Sequence, residues 1–217
     1  MSKVVALDGP AGSGKGTIAS LVAKECNLVY IDTGATYRTL ALKALNSNIN
    51  LDDKKSLIEL SKNIDITFDS NKNVYLDGID VSKKIRTDEV SMAASKVSTI
   101  KEVRENMVTL QRNLAGTNDC IMEGRDITTV VLPNADIKIY LDAKLEERAN
   151  RRYLEYKEKN IEIAYEEIIK NMEERDYQDM HKEVGSLMRT DSQIYIDSTN
   201  MTIEEVKNKI VKIIKEG

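Results

Sequence analysis

The strongest chemical signal in the sequence is a glycine-rich segment that includes a lysine. Residues 9–17 read GPAGSGKGT and fit the phosphate-binding pattern G-x-x-x-x-G-K. Glycines let the backbone curl so that its N–H groups converge on an anion, and a following helix adds the partial positive charge of its N-terminus. Lys15 is a cation that can reach the β- and γ-phosphates of a nucleotide. The segment therefore predicts a P-loop for a nucleoside triphosphate.

Every residue of this loop is a candidate nucleotide contact: Gly9, Pro10, Ala11, Gly12, Ser13, Gly14, Lys15, Gly16 and Thr17. Gly16 stands where most P-loops carry the Ser or Thr that ligates magnesium, and Thr17 comes one place later. The GKGT form is typical of nucleoside-monophosphate kinases. We therefore expect Mg²⁺ to be held largely by nucleotide oxygens and water, with no dedicated protein metal site.

Arginine is the second informative residue type. The chain has ten arginines, and five lie between Arg125 and Arg175. The net charge of −4 argues against a broad basic face for nucleic acid. A small phosphate ester needs only a local cationic cluster, which these arginines can supply.

The remaining composition excludes several classes. One histidine and two separated cysteines cannot build an ordinary zinc site, and we interpret Cys26 and Cys120 as small buried hydrophobic residues. The sequence has no apolar run long enough for a transmembrane helix, and its first ten residues lack the pattern of a signal peptide. These features favour a cytoplasmic protein without membrane partners.

The elements that must position the loop follow an α/β order. Apolar runs and helical spacing predict a strand at 3–8, a helix at 17–27, a strand at 28–32 and a helix at 35–45. After a helix at 51–63, residues 64–81 alternate between apolar and polar, with turns at residues 71–73 and at Asp77-Gly78. This pattern predicts a small antiparallel meander inserted in the α/β protein.

The second half returns to the same order. Helices are expected at 88–97 and 100–114, the latter ending at Ala115-Gly116, then strands at 120–123, 137–141 and 193–197 and charged helices at 144–159 and 164–182. Thr202 and Glu205 form a capping box. It opens a final helix whose inward residues are expected to be Ile203, Val206, Ile210 and Ile213.

Seven segments in this order resemble the bacterial cytidylate kinases, which are P-loop nucleoside-monophosphate kinases. They are DGPAGSGKGT at 8–17, DTGATYR at 32–38, IRTDEV at 85–90, ASKV at 94–97, EGRD at 123–126, LDAKLEERANRR at 141–152 and ERDYQD at 174–179. The resemblance implies one three-layer P-loop kinase domain over residues 1–217 with a central parallel sheet. It further implies a nucleoside-monophosphate part at about 35–114, with the antiparallel meander within an insertion at about 60–86, and a helical lid at about 150–185.

The resemblance also implies the reaction, which is transfer of the γ-phosphoryl group of ATP to CMP or dCMP. It assigns the acceptor phosphate to Arg38 and Arg125, the acceptor sugar to Thr33 and Asp179, and the transferring group to Arg175. Asp126, Arg104 and Ser95 are assigned to the base. A carboxylate at Asp126 suits the N4 amino donor of cytosine and would repel the carbonyl oxygen of uracil.

Residue chemistry alone leaves alternatives open for these positions. Arg38 follows the second strand in the first turn of a helix, where a solvated arginine is also ordinary. Ser95 could be an exposed helix serine, and Arg175 and Asp179 could form an intrahelical ion pair. Lys182 stands where relatives carry an arginine, so its role is open.

The helix at 144–159 carries three arginines in the region that the resemblance assigns to the lid. Arg148 and Arg152 are our candidates for ATP contacts, while Arg151 shares their helix. Asp8, Glu123 and Asp126 are acidic candidates near magnesium. Glu123 and Thr128 depart from the aspartate and the glycine that the family carries, which could alter the geometry of their loop.

Two other functions remain open at this level. One is a P-loop kinase for another small acceptor, such as UMP, AMP or a non-nucleotide acid. The other is a nucleotide-binding regulatory module without transfer activity, although simple ATP binding needs no second phosphate clamp. We expect a monomer whose partners are its small-molecule substrates.

Overall fold

The computed structural model describes residues 3–69, 72–116 and 119–216, and the chain divides into two units. Unit 1 comprises Met1–Leu28 and Asp119–Gly217, and unit 2 comprises Val29–Asn118. In chain order the elements are β1 (Val4–Asp8), α1 (Lys15–Cys26), β2 (Val29–Asp32), α2 (Thr33–Asn46), α3 (Lys54–Lys62), β3 (Ile66–Phe68), β4 (Val74–Leu76), β5 (Ile79–Asp80), α4 (Asp88–Val97), α5 (Lys101–Ala115), β6 (Cys120–Gly124), β7 (Ile137–Asp142), α6 (Leu145–Glu158), α7 (Tyr165–His181), β8 (Ile194–Asp197) and α8 (Ile203–Glu216). A short 3₁₀ helix (Lys84–Arg86) precedes α4, and a π-helical turn (Ile127–Val131) follows β6.

The central sheet confirms the predicted α/β class. Its strands stand in the order β2-β6-β1-β7-β8, and β1 pairs in parallel with both β6 and β7. Asp8 is level with Gly124 on one side and with Tyr140 on the other. Since parallel strands end at the same edge, the segments after β1 and β6 emerge together, at the edge where ligands bind in such sheets.

The apolar runs of the three central strands, β1, β6 and β7, are mostly buried, whereas β2 and β8 at the two ends of the sheet are more exposed. Val5, Ala6 and Leu7 of β1 have no exposed surface. Helix α8 packs against α1, and its capping box forms as predicted, with the Thr202 hydroxyl and N–H donating to the Glu205 carboxylate at 2.8 Å.

The predicted inward face of α8 is partly wrong. Val206 and Ile210 are buried as expected, but Ile203 is 56% exposed, and Val211 and Ile214 take the remaining buried places. Ile203 lies on the same helical face as Ile210 and Ile214, but as the first residue of α8 it stands at the exposed end of that face.

Unit 2 has its own apolar core beneath the meander. Leu40, Leu57, Ile85, Val103 and Met107 lie in one cluster of buried residues with little or no exposed surface, contributed by α2, α3, the 3₁₀ helix and α5. The larger cluster also includes residues of the meander and of α4.

The meander is confirmed. Strand β4 pairs antiparallel with β3 and with β5, and the turn at Asp77 and Gly78 has φ angles of 50° and 78°, as a tight two-residue hairpin requires. Asn71, in the other predicted turn, lies outside the described residues.

Two helices begin earlier in the chain than predicted. Helix α1 begins at Lys15, and α2 begins at Thr33 because the Asp32 carboxylate caps it by accepting the Ala35 N–H at 2.9 Å. Arg38 therefore lies in the second turn of α2 instead of the first. Cys120 is buried as predicted, whereas Cys26 is partly exposed.

No helix among the described residues has the length and apolar character needed to cross a membrane.

Candidate active site

The phosphate loop joins the end of β1 to the start of α1, as its motif requires. Gly14 is the N-cap of α1 and has φ 84°, a left-handed conformation that favours glycine. Gly9 is needed for a different reason, because a Cβ there would lie 2.1 Å from the Leu141 carbonyl oxygen of β7. The loop therefore sits tightly against the sheet edge, with the N-terminus of a twelve-residue helix behind it.

Lys15 is the first residue of α1, and its side chain is buried. Its ammonium group donates to the Pro10 carbonyl oxygen at 3.0 Å, within the loop itself. Burial first, and then the nearby Arg125 and Arg175 guanidinium groups, lower the pKa of Lys15 to about 7, while the Glu123 and Asp179 carboxylates act in the opposite direction. This setting favours an arriving anion, since negative charge would restore the protonated form.

Ser13 also indicates that the loop is arranged to bind an anion. Ser13 is 1% exposed, and its hydroxyl has no hydrogen-bond partner among the described residues. A buried hydroxyl normally has a partner, and a phosphate oxygen can supply one. Thr17, by contrast, is exposed on α1.

Two arginines of α6 hold the phosphate loop by its main chain. Arg148 donates to the Ala11 carbonyl oxygen at 2.9 Å, and Arg151 donates to the Ser13 carbonyl oxygen at 3.3 Å and to the Ser198 carbonyl oxygen at 2.9 Å. Arg152 instead pairs with Glu155 at 3.0 Å and lies over the Tyr156 ring. Sequence reasoning could not separate these three arginines, because their partners are backbone atoms that only the folded chain brings near.

Arg125, Asp179 and Lys182 form a charge cluster at the same sheet edge, in which Asp179 is buried and the two cations are partly exposed. Arg125 Nε donates to Asp179 Oδ2 at 2.6 Å, and Lys182 Nζ donates to Asp179 Oδ1 at 2.6 Å. Burial acts to raise the pKa of the Asp179 carboxyl, but the two cations outweigh it and hold that pKa well below its usual range. Asp179 therefore stays ionised near neutral pH and keeps Arg125 in place.

The pairing of Asp179 with Arg125 was not among our expectations. Residue spacing suggested an intrahelical partner at Arg175, whereas the structure supplies a partner 54 positions earlier in the chain. Arg175 itself is exposed on α7, and its charge is close enough to lower the pKa of Lys15. Unit 1 thus brings Lys15, Arg125, Arg175 and Asp179 to one place.

Asp8 does not have the surroundings of a metal ligand. Its carboxylate is fully buried and accepts from the Ile127 N–H at 2.8 Å, the Thr128 N–H at 2.9 Å and the Thr128 hydroxyl at 2.6 Å. Burial raises the pKa of Asp8, and the hydrogen bonds from Thr128 oppose that change. Asp8 therefore ties the loop that carries Arg125 and Asp126 to the strand that leads into the phosphate loop.

Gln193 is a residue that sequence reasoning missed. It is buried just before β8, donates from Nε2 to the Thr128 hydroxyl, and accepts the Thr190 N–H at 2.7 Å. The sequence offered only one sign of this role, which is a glutamine at the start of a mainly apolar predicted strand. Asp126 is also buried, directly before the π-helical turn, and Glu123 is buried at the end of β6.

The other predicted acceptor residues belong to unit 2. Arg38 pairs with Asp32 at 2.8 Å, Thr33 is buried at the start of α2, and the buried Arg104 places its guanidinium 5.6 Å from the centre of the Tyr37 ring. Ser95 is exposed on α4. Their roles toward a nucleotide stay predictions.

The described residues contain no group of three or more His, Cys, Asp or Glu side chains arranged to hold a metal ion. The carboxylates near the phosphate loop are already engaged, as Asp8 and Asp179 illustrate. Because these carboxylates are engaged, a magnesium ion would be held chiefly by the nucleotide with which it arrives and by water.

Comparison with known proteins gives a consistent family. The family model for cytidylate kinase matches residues 5–216. The cytidylate kinase of Fusobacterium nucleatum is 50% identical over 213 residues, covering 98% of this chain and 97% of the relative. That of Caldicellulosiruptor saccharolyticus is 48% identical over 217 residues, covering 98% of this chain and 96% of the relative.

A solved structure extends the likeness to the fold. The shikimate kinase of Bacteroides thetaiotaomicron aligns with a TM-score of 0.50 at 8% identity and covers 98% of both chains. That identity supports the fold alone. With a family model spanning nearly the whole sequence and relatives sharing about half of its residues, this chain belongs to the cytidylate kinase family.

Proposed function

We propose that this chain transfers the γ-phosphoryl group of ATP to CMP and dCMP. One observation carries the proposal beyond family membership. Unit 1 holds a phosphate loop with a buried lysine and, beside it, the Arg125 guanidinium, whose charge lowers the pKa of that lysine. ATP binding alone needs the loop, whereas transfer between two phosphates needs a second cationic group at the same place.

The loop backbone and the start of α1 bind the β- and γ-phosphates, and Lys15 is held close to them. A magnesium ion that arrives with ATP would be held through nucleotide oxygens and water and would supply positive charge against the phosphates. Arg175 stabilises negative charge on the transferring group, and water is excluded so that ATP is not hydrolysed. The acceptor oxygen is already anionic near neutral pH, so no general base is required.

The acceptor is bound by residues that remain predictions. Arg38 and Arg125 bind its phosphate, and Thr33 and Asp179 contact its sugar. Asp126 accepts from the N4 amino group of cytosine, while Arg104 and Ser95 contact the base. A carboxylate against the O4 of uracil would be repulsive, which favours CMP over UMP.

We further propose that the protein acts in the cytoplasm as a monomer, with small molecules as its partners. Its composition and free cysteines are consistent with a reducing compartment.

A coupled ADP-release assay with CMP, dCMP, UMP, AMP and GMP as acceptors tests the function. CMP and dCMP should give the highest kcat/KM, and Lys15→Met should abolish turnover with every acceptor. A preference for UMP, AMP or GMP would replace the assigned acceptor. Tight ATP binding without conversion of ATP to ADP in the presence of any acceptor would identify a regulatory module and overturn the proposal.

A further inference from the structure

Arg148 bonds to three protein oxygens at once. Its Nε donates to the Ala143 carbonyl oxygen at 2.9 Å, and its Nη1 donates to the Ala11 carbonyl oxygen at 2.9 Å and lies 2.7 Å from Asp176 Oδ2. The side chain is buried. Two of its three nitrogens are thus used on the protein, and one of them holds the phosphate loop. This arrangement suits a residue that fixes the phosphate loop in position better than one that contacts ATP directly.

Asp176 extends this contact to α7. The residue is 9% exposed, and its Oδ1 has no hydrogen-bond partner among the described residues. A buried carboxylate is costly unless it is paired, so the ion pair with Arg148 is its principal compensation. Asp176 is thereby fixed against the residue that holds Ala11.

A second contact places α7 against the same loop. A Cβ on Gly12 would lie 2.6 Å from the Met172 methyl carbon and 3.2 Å from Arg148 Cβ. Met172 and Asp176 are four residues apart on α7, so both face the loop. Arg175 adjoins Asp176 in the chain, which means that fixing one fixes the backbone of the other.

We propose that Arg148 and Asp176 form a positioning pair that sets α7, and hence Arg175, at a fixed place relative to the phosphate loop. Neither residue supplies chemistry. The inference deepens the proposed function and depends on it for the role of Arg175.

Kinetics of a double-mutant cycle give the first test. Asp176→Asn removes the charge at constant shape, and Arg148→Lys keeps a cation but loses the planar fork. Each should lower kcat about 100-fold, the scale expected for a small displacement of a catalytic group, with KM for CMP nearly unchanged. The double variant should be no slower than the slower single variant, and Arg175→Ala should cost less in the Asp176→Asn background. Glu173→Gln, an exposed carboxylate on the same helix, is the matched control and should leave kcat unchanged.

Hydrogen exchange of the nucleotide-free protein gives a second test that needs no turnover, so it stands even if CMP is not the acceptor. Amides of α7 should exchange faster in Asp176→Asn and in Arg148→Lys, but not in Glu173→Gln. If Asp176→Asn does not fold, Arg148→Lys carries both measurements. Losses in kcat that multiply in the double variant, an effect of Arg148→Lys confined to KM for ATP, or unchanged exchange of α7 would overturn the inference.

Discussion

At the scale of single residues, Lys15 illustrates how burial prepares a cation for an anionic ligand. Its pKa is lowered to about 7, first by burial and then by Arg125, so near neutral pH much of it is uncharged. A bound triphosphate favours the ammonium form and must raise that pKa. Between the free and the bound pKa, the complex therefore carries one proton more than the free protein.

We predict that ATP binding takes up a proton above neutral pH. At pH 8.5 the uptake through Lys15 should approach about one proton per site, and affinity should fall by up to ~10-fold per pH unit as the pH rises above the free pKa. Calorimetry in buffers of different ionisation enthalpy measures the uptake, and Lys15→Met should lose this share of it. Equal uptake by the wild type and the variant would contradict the assignment.

Arg175 gives a second prediction at this scale. Its side chain is exposed on α7, so Arg175→Ala should leave the melting temperature close to that of the wild type. Turnover should fall about 1,000-fold, as for other arginines that stabilise a transferring phosphoryl group. Steady-state assays and thermal melts provide the comparison, with Lys170→Ala on the same helix as control. Near-normal turnover would remove Arg175 from the mechanism.

Residue chemistry predicted the phosphate loop because its glycines and lysine lie in one short segment. It could not predict that Asp179 pairs with Arg125 or that Arg151 donates to Ser13, because these contacts join segments distant in the chain. Gln193 was missed for the same reason. Its acceptor, Thr128, is 65 positions away.

At the scale of elements, β1 and the segment after β6 are joined through Asp8. Three donors from Ile127 and Thr128 converge on its carboxylate, and Gln193 adds a donor to the Thr128 hydroxyl. Thr128, which departs from the glycine of the family pattern, therefore contributes a hydroxyl to a buried network. Buried networks of this kind are costly to break, because each orphaned group keeps its desolvation penalty.

We expect Thr128→Val to lower the free energy of unfolding by about 1–3 kcal/mol, since it orphans the Gln193 donor and one acceptor position of Asp8. Urea unfolding measures the change. Thr128→Ser, which keeps the hydroxyl, should recover most of the loss. Thr109→Val, at an exposed helix hydroxyl, is the control and should change stability much less. Equal losses for the valine and serine variants at 128 would argue against the hydrogen bonds.

Most elements could be predicted from periodicity and turn residues, because each signal is local. Alternation predicted the meander, and Asp77-Gly78 predicted its hairpin. The buried face of α8 was harder, since the choice between Ile213 and Ile214 depends on the surface of the packed neighbours. The start of α2 likewise depended on which of several polar residues caps it, and Asp32 does so.

At the scale of the whole molecule, the two units hold different predicted binding residues. All contacts described for the phosphate loop come from unit 1, whereas Arg38, Thr33, Ser95 and Arg104 belong to unit 2. The proposed function therefore assigns ATP to unit 1 and much of the acceptor to unit 2.

This division predicts separable binding defects. Arg38→Ala should weaken CMP binding by about 10- to 100-fold, the value of a charge-assisted hydrogen bond or two, and leave ATP binding unchanged. Calorimetric titration with each nucleotide alone provides the measurement. Lys62→Ala, at an exposed ion pair of unit 2, is the control. A comparable loss of ATP affinity in Arg38→Ala would contradict the division.

The hydrogen bonds from α6 to the phosphate loop affect which substitutions the loop can accept. Arg148 and Arg151 hold carbonyl oxygens, which every amino acid possesses, so the contacts place no demand on the side chains at positions 11 and 13. Substitutions there are limited by available space and by the ligand alone. Ala11 and Ser13 are both buried, so we expect only small residues at these two positions to leave the shape of the loop unchanged.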